Sequence, residues 1–220
     1  MVKPYPAIRE SCRGSVQPVS ITAAWSRFDE WLAQNAPTTY AVLAPPATDA
    51  ELETARRVVE LPPELIESLR CHNGLTSWAN LLPEAPPSSA AQIAENWQMR
   101  MDLAADVDGF AVHQPEPEPY WHPAWIPWAD GDGDLQVIDL RPGPSRGRLG
   151  IAAHDGTGDF DAAWPDLTSY LSEVVHSLHH GTGVNGWYPY LTTHQELWWD
   201  LGPDQRTVND EPLIRVPVEN

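Results

Sequence analysis

Aspartates alternate with glycines at Asp130, Gly131, Asp132, Gly133 and Asp134, and alternating carboxylates are how a calcium-binding EF-hand loop begins. Leu135 stands where that loop needs its sixth-position glycine, and Arg141 where it needs a bidentate glutamate, so the pattern fails as a calcium site. The same residues do supply turn chemistry, because glycine allows positive φ and aspartate bonds its own backbone. We read them as a tight turn that presents negative charge. Three other groups invite a chemical reading. His176 and His180 have the i, i+4 spacing of a metal pair with His179 beside them, but Ser177 occupies the place where a zincin helix carries its glutamate. Histidines at a helix end are also favoured by the helix dipole. Cys71 and His72 are adjacent, and adjacent side chains on a helix point about 100° apart, so they form no nucleophile–base pair. We assign Cys71 to packing and His72 to the turn at the helix end. His154-Asp155 has the types of an acid/base pair, without a nucleophile or oxyanion signature to accompany it. The sequence therefore predicts no catalytic residue, no metal ligand and no cofactor.

Binding is the better-supported chemistry. Tyr120, Trp121, Trp125 and Trp128 cluster beside the acidic turn. Most of them belong to a core and its lid, and exposed members would anchor a partner, since aromatic residues dominate interface hot spots. The candidate partner-binding set is Asp130, Asp132, Asp134, Asp155, Asp159, Trp121 and Trp128. Asp155 and Asp159 join it on the expectation that the strand after Leu149 pairs back beside the turn.

These residues need elements to position them. Leu135 to Leu140 reads as a strand, with Leu135 and Val137 on one face and Ile138 and Leu140 on the other. Both faces are apolar, which predicts a central strand covered on both sides. It follows a Trp-Ile-Pro-Trp apolar knot at residues 125–128 and is followed by a neighbouring strand over Leu149 to Ala153. Ile21, Ala24, Trp25, Phe28, Trp31 and Leu32 make one helical stripe, capped by Ser20 and stopped by Pro37. Tyr40 to Ala44 reads as a short extended piece. Capping-box spacing at Thr48/Glu51 and Ser89/Gln92 opens two further helices. The first would bury Leu52, Ala55, Val58 and Val59, and the second Ile93, Trp97, Met101 and Ala104. Between them, LPPELIESLRCHNG at 61–74 predicts a helix with Pro62 and Pro63 in its first turn, Leu65, Ile66 and Leu69 buried, and Asn73-Gly74 at its end. Leu81 and Leu82 read as a strand or packed loop, and the four-proline stretch 113–123 as a surface excursion. A last amphipathic helix runs from Trp164 to Leu178 and closes at Gly181. Trp187 to Leu191 and Glu196 to Trp199 suggest a hairpin. Residues 1–19 read as an arm, 20–200 as the domain and 201–220 as a tail.

At 220 residues the chain can bury a core without staples. Thirteen basic against thirty-one acidic residues give a net charge of −18, a surface that repels nucleic acid and anionic membranes and attracts basic partners. No apolar run approaches the roughly 18 residues that cross a bilayer. The opening MVKPYPAIRESCRG has no apolar signal-peptide core, which predicts a cytoplasmic protein. Cys12 and Cys71 have no metal or redox spacing and are expected to be reduced.

Three segments in this order resemble the SMI1/KNR4 (SUKH) family: LPPELIESLRCHNG at 61–74, WIPWADGDGDLQVIDLRPGP at 125–144, and the 164–178 helix followed by GWYPYL and a Glu-Leu-Trp strand. The 113–123 stretch is longer than is usual there, and Trp128 stands where phenylalanine is common. The resemblance implies an α+β fold, a mixed and mostly antiparallel sheet surrounded by helices. It also implies a non-catalytic protein-binding role. Bacterial members of that family are typically immunity proteins that neutralise toxins, many of them nucleases, whereas fungal members are scaffolds in cell-wall synthesis and signalling. The expectation is an immunity protein for a basic, nuclease-type toxin, with a scaffold or regulatory protein as the alternative.

Overall fold

A computed structural model describes residues 20–161 and 164–218. The arm at 1–19, Cys12 included, and residues 219 and 220 of the tail lie outside the described residues. Among the described residues, six helices and nine strands follow in the order α1 (Ile21–Asn35), α2 (Pro37–Tyr40), α3 (Asp49–Arg56), α4 (Pro63–Leu69), α5 (Ala90–Asp106), β1 (Trp125–Gly131), β2 (Asp134–Asp139), β3 (Leu149–Ala152), β4 (Gly158–Asp159), α6 (Leu167–His180), β5 (Trp187–Leu191), β6 (Leu197–Leu201), β7 (Thr207–Val208), β8 (Glu211–Pro212) and β9 (Ile214–Arg215). All named strand pairs are antiparallel: β1-β2-β3-β4 form one sheet, β6-β5-β9 a second and β7-β8 a ribbon. The fold is α+β, as expected.

Helix signals in the sequence translate directly. The Ser20 hydroxyl accepts from the Ala23 N–H at 3.1 Å, and every member of the Ile21–Leu32 stripe is buried. Both capping boxes form, with Thr48 and Glu51, and Ser89 and Gln92, each satisfying the other's backbone. α6 ends on Gly181 in the left-handed region (φ +64°). Leu81 and Leu82 are a buried loop.

The first sheet carries apolar side chains on both faces. Ile138 and Leu140 enter the large core with α1 and α6, while Leu135 and Val137 enter a smaller one with Ala104, Trp121, Trp125 and Ala152. β2 lies between β1 and β3, so the central strand is where the alternation placed it. The Trp-Ile-Pro-Trp knot is itself strand β1. Pro127 is tolerated because β1 is an edge strand with a register shift between Pro127 and Ala129. That edge is covered: Ser88 N–H donates to the Trp128 carbonyl at 2.9 Å and Asp130 N–H to the Pro86 carbonyl at 3.1 Å.

Several expectations are corrected. Val58 is exposed while Val59 is buried, because α3 ends at Arg56 and the chain turns there. Residues 37–40 form the short helix α2, and the expected extension shrinks to one bridge between Leu43 and Leu75. The 61–74 helix ends at Leu69, so His72-Asn73-Gly74 is a clip beyond it rather than a cap. His72 lies 3.0 Å from Asp29 of α1 and 3.1 Å from the Ala44 carbonyl, not on the helix end. The Asn73 side-chain oxygen Oδ1 accepts from Ala90 N–H at 2.8 Å, satisfying the start of α5, and its side-chain amide nitrogen donates to Glu51 at 3.2 Å. Gly74 has φ +76°, and a Cβ there would sit 2.7 Å from the Ser89 nitrogen. The 201–220 tail is not loose throughout: β9 pairs with β5, and Val216 is buried in the main core.

Candidate functional site

Asp132 and Gly133 form the two-residue turn of the β1–β2 hairpin, both at positive φ (+62° and +101°), the conformation that Asp-Gly favours. The tip is fastened from three sides. The Asp130 carboxylate accepts from Gly133 N–H at 2.8 Å and from the Asn96 amide of α5 at 3.1 Å. The Asp134 carboxylate accepts from the His154 backbone N–H and sits on its Nδ1, both at 2.8 Å. Those two hydrogen bonds, backbone first, hold the Asp134 carboxyl below its usual range, and the same contact with Asp134, helped by the charge of Asp155, raises His154. Beneath the tip lies Arg100, only 2% exposed. Its guanidinium donates to the carbonyls of Gly133 (2.6 Å), Ala153 (3.2 Å) and Ala152 (3.4 Å) and to the Tyr120 hydroxyl. One buried cation therefore ties the turn to the end of β3.

A cleft opens between this hairpin and the loop before α5. Trp78, Asn80, Glu84 and Pro86 line one wall, Asp130 and Asp132 the other, and Trp187 of β5 completes the lining. The loop wall is well anchored: the Asn80 side chain donates to the Trp199 carbonyl (3.1 Å) and accepts from its N–H (3.2 Å), while the Trp199 indole donates to Leu81 (3.0 Å). Glu84, at positive φ (+70°), turns its carboxylate onto the Gln136 amide.

Of the residues singled out from the sequence, Asp130, Asp132, Asp134 and Asp155 gather at the tip, Asp155 through His154, whose Nε2 is 3.9 Å away. Asp159 does not join them; it sits on β4, at the far edge of the sheet from β1, and accepts from Asp161 N–H. Trp121 (0% exposed) and Trp128 (3%) are core residues and present no face to a partner. Both strand faces are covered, which buries the aromatic cluster that flanks the turn. Trp78, Glu84 and Arg100 went unpredicted. Arg100 carried a signal: it falls in phase with Ile93, Trp97 and Ala104, and a charged residue on a buried stripe must have a purpose. Trp78 lies in an unpatterned loop and carried none.

The remaining candidates make local contacts. The His176 and His180 rings stack at 4.1 Å, with His180 Nδ1 2.9 Å from the His176 carbonyl. Burial pushes the Cys71 thiol up, away from thiolate reactivity. Among the described residues no three His, Cys, Asp or Glu side chains are grouped to hold a metal ion, and no helix is long and apolar enough to cross a membrane.

The family described as SMI1 / KNR4 (SUKH-1) matches residues 46–173, more than half of the 220-residue chain. The match takes in α3 to the middle of α6, hence the hairpin tip and most of the cleft. No curated protein matches the sequence.

Proposed function

The chain belongs to the SMI1 / KNR4 family (SUKH-1), and from that premise we propose a non-catalytic protein-binding domain, an immunity protein that neutralises a cognate toxin with a basic, nuclease-type surface in the cytoplasm. The observation that carries this reading is the acidic hairpin tip, fixed before any partner arrives by Asn96, Arg100 and His154. Carboxylates that are already ordered cost little more to order on binding, and a chain of net charge −18 draws a cationic partner in quickly.

A scaffold or regulatory role is the second reading. It is favoured by one feature, the exposed Met99 and Leu103 on α5 with Val107 just past its end, which suits a long-lived assembly better than a charge-steered capture.

Affinity purification from the native cells, followed by association kinetics, tests the proposal. The captured protein is expected to be basic. The double variant Asp132→Asn, Asp134→Asn should keep the fold, since asparagine serves in the turn at 132 and its side-chain oxygen at 134 can still accept from the His154 N–H, and should associate severalfold more slowly with a flatter salt dependence, on the order of steering effects seen elsewhere. Unchanged rates at low and high salt would move the partner face away from the tip.

A further inference from the structure

Charge in this molecule is compensated unevenly. On the β2–β3 side, Asp139 and Glu118 are neutralised by Arg141 and Arg148 at 2.6–3.5 Å. Around the cleft the carboxylates' direct partners are instead neutral groups, Glu84 the Gln136 amide and Asp130 the Asn96 amide and a backbone N–H, while the Arg100 guanidinium beneath the tip bonds backbone carbonyls and the Tyr120 hydroxyl rather than these carboxylates. Neutral donors orient a carboxylate without cancelling its charge. Beside them stands Trp78, 70% exposed, its ring held edge-on by Trp198 at 6.1 Å. An exposed tryptophan on a loop clamped through Asn80 and Leu81 is a rigid apolar platform whose own burial contributes little to folding.

We propose that the cleft between Trp78 and the β1–β2 hairpin seats an arginine side chain of the cationic protein partner, with the guanidinium stacked on the Trp78 indole and its charge met by Glu84, Asp130 and Asp132. This rests on the protein-binding reading above and adds to it the identity of the anchoring side chain. Arginine fits better than lysine because its planar guanidinium stacks on an aromatic face while still donating in its own plane to carboxylates. A lysine ammonium, compact and strongly hydrated, would gain the charge and forgo most of the stacking.

The test uses the full chain, isotope-labelled, with two neutral-ended tripeptides as probes, acetyl-Gly-Arg-Gly-amide and acetyl-Gly-Lys-Gly-amide. Nuclear magnetic resonance follows the Trp78 indole N–H together with the backbone amides of Gly131 and Asp132. With the arginine probe, these signals should move together and saturate. The lysine probe should bind severalfold more weakly, and Trp78→Ala should weaken the arginine probe on the order of tenfold, as hot-spot residues do. Glu84→Gln should weaken both probes. The variant's remaining resonances report its fold, and Trp78→Phe, which keeps an aromatic face, should recover part of the loss. Movement of the hairpin amides alone, undiminished in Trp78→Ala, would overturn the cleft assignment and leave the acidic-tip reading standing. Absence of any shift at low salt would also overturn it, and the kinetics of Asp132→Asn, Asp134→Asn with a captured partner would then judge the protein-binding reading separately.

Discussion

Arg100 is a full positive charge held out of water by neutral acceptors, three backbone carbonyls and a phenol, and flanked by the Tyr120 and Trp121 rings. Both terminal nitrogens are satisfied and only Nε lacks a partner among the described residues, which keeps the cost of burying the charge down, because an unpaired buried charge is among the costliest defects. Arg100→Leu should therefore destabilise by about 3 kcal/mol or more, since three carbonyls lose a charged donor at once. Urea unfolding measures this, and hydrogen exchange at the Gly133 amide should accelerate beyond the global loss. A purely global effect would mean the tip does not depend on it. His72 makes a second residue-scale case. Burial works against its charged form, but the Asp29 carboxylate and the Ala44 carbonyl outweigh it and raise its pKa above the ordinary 6.5. Folding then favours the protonated ring, so its stabilisation is complete below the unfolded value and is lost as pH rises through the folded one. The melting temperature should fall as pH climbs from 6.5 into the mildly alkaline range, and His72→Gln should flatten that slope. An unchanged slope in the variant would assign the effect to another group.

Between elements, the His72-Asn73-Gly74 clip joins α1, α3 and the start of α5, and its importance lies in those three attachments rather than in ending a helix. Gly74→Ala should cost about 1–2 kcal/mol from the left-handed backbone alone, and more because the new Cβ would press on the Ser89 nitrogen at 2.7 Å. Asn73→Ala should cost about 1–2 kcal/mol by stripping the first N–H of α5 of its acceptor. Chemical denaturation of the two variants checks both; a neutral Gly74→Ala would mean that α5 can shift away. Elements governed by local signals were legible beforehand: the α1 stripe, both capping boxes, the Gly181 stop and the two-faced alternation of β2 all depend on neighbours within a turn or two. Strand β1 was not, because Pro127 reads locally as a strand breaker and is accommodated only by its position at a sheet edge. The end of α4 was misplaced for a similar reason. Asn-Gly is a good helix stop, but here the pair is claimed by Pro45, Glu51 and Ala90, partners that no local pattern announces.

At the scale of the whole molecule, the acidic half of the candidate site was readable from the spacing of Asp130, Asp132 and Asp134. The aromatic half was not, since the cleft assembles residues 78–86, 130–132 and 187, and nothing in their separate neighbourhoods links them. The charge that serves binding also acts on the fold. With a net charge of −18, self-repulsion opposes compaction, and the same field draws in a cationic partner. Screening must then move the two properties in opposite directions. Raising salt from about 10 mM to about 150 mM shortens the screening length from about 30 Å to about 8 Å. The Arg141, Arg148, Asp139 and Glu118 cluster is partly buried and has charges within 4 Å, well inside that length, so it should be affected little. Repulsion among exposed carboxylates farther apart should be largely removed. The melting temperature is expected to rise across this range, while association with a basic partner slows. Calorimetry and stopped-flow mixing on the same samples measure the pair. A melting temperature that fell with salt would mean that favourable ion pairs outweigh the repulsion, and that the acidic surface imposes no cost on folding for binding to offset.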